Sequence, residues 1–362
     1  MMEQKQSFTS SILHAFLKGN LSILLILISL VAGAAALMIT PREEEPQIVV
    51  PLADVMVMMP GSSAEEVEKL VSSRLEKMLY QIDGVEYVYS MSRPGLSVVT
   101  VRFFVGEDRE DSLIKIYNKI FQNLDKTTPG IAGWVVKPIE IDDVPIVNVT
   151  LHSAAHGTHD LYRIAEEVSH KLQGIPDSSR IAIHGGQKRV VHVYLDTERL
   201  AAYGLSPMEV AGALKMSNAQ AESGSFAQAN REVVVETGPF LQDVEEVRNL
   251  MVCVHQNRPV YLRDVASVED GSDELNSYTR FGAGPAASIE TAGGLEPGQV
   301  NQAVTVSVAK KKGSNAVQVA RRVEGMLEEL RGSVLPHDVT ATLTRNYGET
   351  ANEKVNDLVM NL

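Results

Sequence analysis

Two hydrophobic patterns meet at Pro41. Between Gly19 and Pro41 there is no charged residue, and Lys18 and Arg42 bracket the run. Leu21 to Thr40 is about 20 residues, roughly 30 Å as a helix, which matches the hydrocarbon core of a bilayer. Ahead of it Phe8, Ile12, Ala15 and Phe16 recur at helical spacing, as in a short amphipathic lead-in. The run is expected to be a retained membrane anchor. A cleaved signal peptide, with Ala34-Ala35-Ala36 at its small-residue site, and a buried core helix are the alternatives. Lysine before the run and the Glu43-Glu44-Glu45 stretch after it point to a cytoplasmic N-terminus.

Beyond Pro41 the pattern is that of a folded α+β protein. Val67, Leu70, Val71, Leu75, Met78 and Leu79 keep one helical face after a Ser63-x-x-Glu66 capping box. Leu113, Ile116, Tyr117, Ile120, Phe121 and Leu124 make a second face, Leu161, Ile164, Ala165, Val168 and Leu172 a third. Ala316, Val319, Ala320, Val323, Leu327 and Leu330 make a fourth. Strand patterns at Ile48–Met59, Val85–Met91, Leu96–Val105 and Trp134–Ile141 surround the first two helices in the β-α-β-β-α-β order of a ferredoxin-like unit. The order restarts with Ile146–His152, the third helix and Arg180–His184. It completes only with Gln302–Ala309, the fourth helix and Val339–Thr344.

The intervening residues form a lobe of their own. Val190–Leu195, a helix from Ser206-Pro207, and strands at Arg231–Glu236, Leu250–Val254 and Val260–Val268 are expected there. Asn218–Asn230 is small and polar, the composition of a projecting loop or hairpin tip. The expected organisation is a transmembrane helix with its lead (1–40), a first unit (41–142), and a second unit (143–187 and 280–346). The second unit is interrupted by the lobe (188–279), and the start of a further helix follows (347–362).

Composition narrows the chemistry. A hydrophobic fraction of 44% and a charged fraction of 22% are those of globular protein, and a net charge of -13 argues against nucleic acid as a partner. Cys253 is the only cysteine, so no internal disulfide and no Cys-x-x-Cys site forms. No Gly-x-Ser-x-Gly elbow, phosphate loop or His-Glu-x-x-His motif occurs; neither enzyme activity nor a cofactor is expected. His152, His156 and His159 have a spacing that can bind zinc or copper, although exposed loop histidines are the ordinary explanation. Met56 and Met58 share one face of a strand, where core packing explains them better than soft-metal ligation.

Several long stretches carry a resemblance. "PREEEPQIVVP", "PGSSAEEVEKLV", "IDGVEYVYSMSRPG", "VTVRFFVGEDREDSLIKIYNKI" and "GWVVKPIEIDDVPIV" cover residues 41 to about 150 densely, and "PVYLRDVASVE" and "GPAASIE" follow later. They resemble the resistance–nodulation–division (RND) efflux pumps of the acriflavine-resistance, hydrophobe/amphiphile branch. The resemblance implies two porter subdomains and a docking subdomain in the periplasm. It also implies an inner-membrane, proton-driven antiporter that works as a trimer with a periplasmic adaptor and an outer-membrane channel and moves hydrophobic or amphiphilic compounds. Asn218, Ser225, Phe226 and Asn230 then fall on the arm that reaches into a neighbouring subunit, here short. Val144, Ile146, Val147, Val149, His184 and Ser277 are candidates for the substrate path, with His184 making it more polar than usual.

The final helix, with Val355, Leu358, Val359 and Leu362 at helical spacing, corresponds to the entry into a second span. The chain is therefore expected to be the N-terminal part of a transporter and not to pump alone. An anchored periplasmic binding or assembly module, or part of a heavy-metal exporter, are the alternative functions.

Overall fold

The computed structural model describes residues 21–43, 48–140, 143–228, 230–238, 240–287 and 294–361. The described chain begins with α1 (Leu21–Ile39), apolar but for Ser22 and Ser29 and with its described side chains exposed apart from the half-buried Ser22. Its 19 residues span about 28 Å at 1.5 Å per residue. Among the described residues no helix is long and apolar enough to cross a membrane, so the expected span is not established by the fold.

The first sandwich runs β1 (Leu52–Met58), α2 (Ala64–Val67) continued by a π turn at Glu68–Ser72 into α3 (Ser73–Leu79), then β2 (Val85–Arg93) and β3 (Leu96–Phe103). It closes with α4 (Arg109–Phe121) and β4 (Gly133–Ile139). Ser63 caps α2 in a reciprocal box with Glu66, and the Asp108 carboxylate accepts the Asp111 N–H at the start of α4. The strands form an antiparallel sheet in the order β2-β3-β1-β4. Ala53, Val55, Val57, Val99 and Val101 face the helices and bury against Val67, Leu79 and Ile116.

That register corrects two expectations. Met56 and Met58 occupy the helix-free face of the sheet, Met58 being 46% exposed. Strand alternation gives the core to Ala53, Val55 and Val57 instead. On α4 only Ile116 and Ile120 of the apolar positions are buried, with Leu113 packed at the margin; Tyr117 and Phe121 reach solvent, and Leu124 lies beyond the helix end.

The second sheet takes β5 (Val147–Ser153), then α5 (Thr158–Leu172) and β6 (Ser178–His184). Next comes the lobe, with β7 (Arg189–Leu195), α6 (Thr197–Tyr203), α7 (Pro207–Ser217), β8 (Ala221–Gln228), β9 (Arg231–Thr237), α8 (Val244–Arg248), β10 (Met251–His255), β11 (Arg258–Tyr261), α9 (Leu262–Val265) and β12 (Ala266–Ser272). The chain returns through β13 (Thr279–Gly282), β14 (Val300–Lys310), α10 (Ala316–Leu330) and β15 (Thr340–Asn346), and ends in α11 (Tyr347–Asn361). Strand order β14-β5-β15 with β6 on the far side of β14 reproduces the order of the first sheet, and β13 extends the β6 edge. The core is Val147, Val149, Leu151, Val304, Val306 and Val308 beneath α5 and α10.

The lobe has a separate core built on Leu200, Val210, Leu262, Val265 and Val268. The single strand expected over Val260–Val268 is broken by α9: the Asp264 carboxylate accepts the Tyr261 N–H, and Leu262 and Val265 turn inward. β8 and β9 pair into an antiparallel hairpin that turns at Asn230, whose φ of 58° is left-handed.

The chain after α1 docks on the second unit. Arg42 donates to the side-chain oxygens of Asn352 (2.6 Å) and Asn356 (3.1 Å) on α11, and its carbonyl accepts the Ala316 N–H at the start of α10. Glu43 pairs with the buried ammonium of Lys310 at 2.9 Å. By Val49 and Pro51 the backbone has reached the first sandwich, accepting from Gly106 and Phe103.

Candidate functional site

Helices cover one face of each sheet and leave the opposite face open to other molecules. On the second sheet, strand alternation sends Asn148, Thr150 and His152 of β5, Thr305 and Ser307 of β14, Thr342 of β15 and His184 of β6 to that helix-free side. A bulge between Leu343 and Arg345 adds Thr344 to the group.

These side chains form a hydroxyl and imidazole lattice. Thr150 is 3% exposed, and its Oγ1 lies 2.9 Å from Thr305 Oγ1 and 3.0 Å from Thr344 Oγ1. His184 Nε2 meets Ser307 Oγ at 2.9 Å, and that hydroxyl also donates to the Ala182 carbonyl. His152 Nε2 meets Thr342 Oγ1 at 3.2 Å, while its ring stacks on Phe281 with centroids 4.2 Å apart. Burial holds the His152 imidazole below its ordinary pKa, because the charged form loses its hydration there. The Asn148 Oδ1 beside them is buried and, among the described residues, has no hydrogen-bond partner.

Residues 13–362 match the AcrB/AcrD/AcrF family. The chain belongs to this family of RND transporters.

In this RND family member the expected path residues divide between two environments. Ile146, Val147 and Val149 lie in the hydrophobic core, so they cannot form the wall of an open path; alternation gives the helix-free face to their neighbours Asn148 and Thr150. Val144 is exposed ahead of β5, and Ser277 is exposed in the segment before β13. His184 does sit on the polar face. The pattern Val147-Asn148-Val149-Thr150-Leu151-His152 carried the signal for that face, since polar residues alternate strictly with apolar ones.

The three spaced histidines go separate ways. His152 is in the sheet, His156 lies 3.0 Å from the Asp338 carboxylate and 3.8 Å from that of Asp160, and His159 Nδ1 meets the Gln187 carbonyl at 3.3 Å. Among the described residues no group of three potential metal ligands forms. Of the arm candidates, Ser225, Phe226 and Asn230 belong to the β8–β9 hairpin, with Ser225 donating to Glu232 and Phe226 exposed. Asn218 instead caps the end of α7, where its side-chain oxygen accepts the Leu241 N–H.

Proposed function

We propose that this chain forms the N-terminal part of an inner-membrane, proton-driven RND efflux transporter. The family match across residues 13–362 carries the proposal. In it, the two sandwiches are porter subdomains, the lobe is a docking subdomain, and the β8–β9 hairpin is the inter-subunit arm. The assembly is a trimer joined by a periplasmic adaptor and an outer-membrane channel. The chain contributes binding, gating and assembly, and no covalent chemistry. The polar face around Asn148, Thr150 and His184 lines part of the route taken by hydrophobic or amphiphilic substrates.

The surface of α1 supports a membrane setting. A helix apolar all round, its side chains left exposed by the other described residues, presents to water a patch that soluble proteins seldom expose, whereas lipid solvates it well. The N-terminus is then cytoplasmic and the residues after Pro41 periplasmic.

The test is dye accumulation in cells lacking their principal efflux pumps and expressing the native reading frame that contains this chain. Energised cells are expected to hold less ethidium than the vector control, and collapse of the proton gradient should remove the difference. Equal accumulation with and without the gene, with the protein present in the membrane fraction, overturns the proposal.

A further inference from the structure

The first sandwich contains a second place where a ligand fits, on the helix side of its sheet. Between α3 and the C-terminal end of α4 the helices part and leave a cavity of about 470 Å³ over β1. That volume lies within the roughly 300–1,000 Å³ range of small-molecule sites. Val57, Val71 and Ile120 form its floor and Trp134 one wall, with the Phe121 ring edge-on to the indole at 5.4 Å. Its floor offers water no polar partner, the polar lining residues being Gln81, Asn123, Thr127 and Thr128 with the rim cations.

The rim has the opposite character. Arg74, Lys77 and Lys126 stand around the opening, and the lining includes no aspartate or glutamate. Arg74 donates to Thr128 and Lys126 to Asn123, both neutral, and among the described residues none of the three cations has a carboxylate partner. In a chain of net charge -13, three cations around one apolar opening are a local inversion of charge. We infer that this cavity binds a single-tailed anionic amphiphile, its tail on the valine and tryptophan surface and its carboxylate or sulfate head among Arg74, Lys77 and Lys126. The tail supplies the apolar burial, and the rim selects the sign of the head group.

The inference does not rest on transport. Binding is measured without a proton gradient, so its failure leaves the efflux proposal standing and the reverse also holds.

Trp134 is the only tryptophan of the chain, which makes its emission a reporter inside the cavity. The full chain in phosphatidylcholine nanodiscs is titrated with dodecanoate below its micellar concentration, and in parallel with dodecyltrimethylammonium. A saturable blue shift is expected with dodecanoate, with a Kd about tenfold lower than for the cation, taking a few modest exposed charge contacts together. The preference should shrink as salt rises. The triple substitution Arg74→Gln, Lys77→Gln, Lys126→Gln changes only exposed side chains and should abolish the preference while leaving the far-UV circular dichroism spectrum unchanged. An identical response to both amphiphiles, a non-saturable response, or a preference retained in the folded triple variant overturns the inference. So does a full shift on moving the protein into phosphatidylglycerol discs without dodecanoate, which would make a bilayer lipid the ligand.

Discussion

Replacing Gly348 by alanine tests the contact that seats the last helix. Gly348 lies in the first turn of α11, against α10. An added Cβ would stand 2.5 Å from Ala320 Cβ, 2.8 Å from the Ala316 carbonyl oxygen and 3.2 Å from Val317 Cα. Ordinary contact begins near 3.4 Å, so α11 must move away by up to about an ångström, and two of the three obstacles are backbone. Alanine gains about 1 kcal/mol over glycine inside a helix, and less in a first turn. Overpacking of this kind costs about 1–3 kcal/mol, so the net effect is a loss of about 1–2 kcal/mol.

The control is Gly325→Ala in the middle of α10, where nothing lies within 4 Å of the added carbon. There only the propensity term acts, and the helix should gain about 0.5–1 kcal/mol. The assay is native-state hydrogen exchange by mass spectrometry, since a chain of several cores does not melt as one unit. Peptides covering α11 should exchange about 5–30-fold faster in Gly348→Ala, and those covering α10 roughly two- to fivefold slower in Gly325→Ala. Unchanged or slower exchange of α11 in Gly348→Ala would refute the close approach of the two helices.

Two further substitutions probe buried polar groups. Glu43→Gln leaves the Lys310 ammonium buried with its ion-pair partner neutralised and should cost about 2–3 kcal/mol, while adding Lys310→Met should recover most of that. Exchange of the peptide carrying residues 300–310 reads both, and a double variant as unstable as the single would count against the pair. His152, held neutral by burial, makes the second sheet sensitive to acid. Below the unfolded value of about 6.5 the unfolded chain binds the proton and the folded one does not, so stability falls with pH until the lower folded pKa is reached. Between pH 7.5 and 5.5 the hydrogen-exchange protection of peptides covering β5 should fall further in the parent than in His152→Gln; parallel falls would remove His152 from the explanation.

Much of the fold was legible because each core strand alternates with period two. Val147, Val149 and Leu151 are interleaved with polar residues, and the structure buries all three. Legibility failed where both faces of an element are apolar. On β1, Met56 and Met58 are as hydrophobic as Val55 and Val57, so periodicity could not say which pair faces the helices. The same ambiguity hid the exposed side of α4. Other features depend on tertiary partners. The π turn at Glu68–Ser72 brings Ser72 Oγ within 2.7 Å of Ser92 Oγ and 2.8 Å of Ser97 Oγ, a buried hydroxyl group no local pattern announces. The polar face of the second sheet was visible in the alternation of β5, yet of its residues only His184 stood among the path candidates, the others being the apolar Val144, Ile146, Val147 and Val149 and the loop residue Ser277.

The two sandwiches share a strand order and differ in what their helix-free faces offer. The first carries Met56, Met58, Tyr87, Tyr89 and Met91 around the Asp54–Thr100 pair, whereas the second carries hydroxyls and imidazoles. Repeated topology fixes where an outward-facing side chain stands, and the residue placed there decides its chemistry. The link from α1 treats the two units unequally as well. Arg42 and Glu43 are fastened to α11, α10 and β14, whereas among the described residues the backbone engages the first sandwich at Val49 and Pro51. A displacement of α1 is therefore transmitted first to the second sandwich, through a charge-assisted hydrogen bond and a buried ion pair. The polar face, built on β14 and β5 of that same sheet, is the surface such a movement would reach most directly.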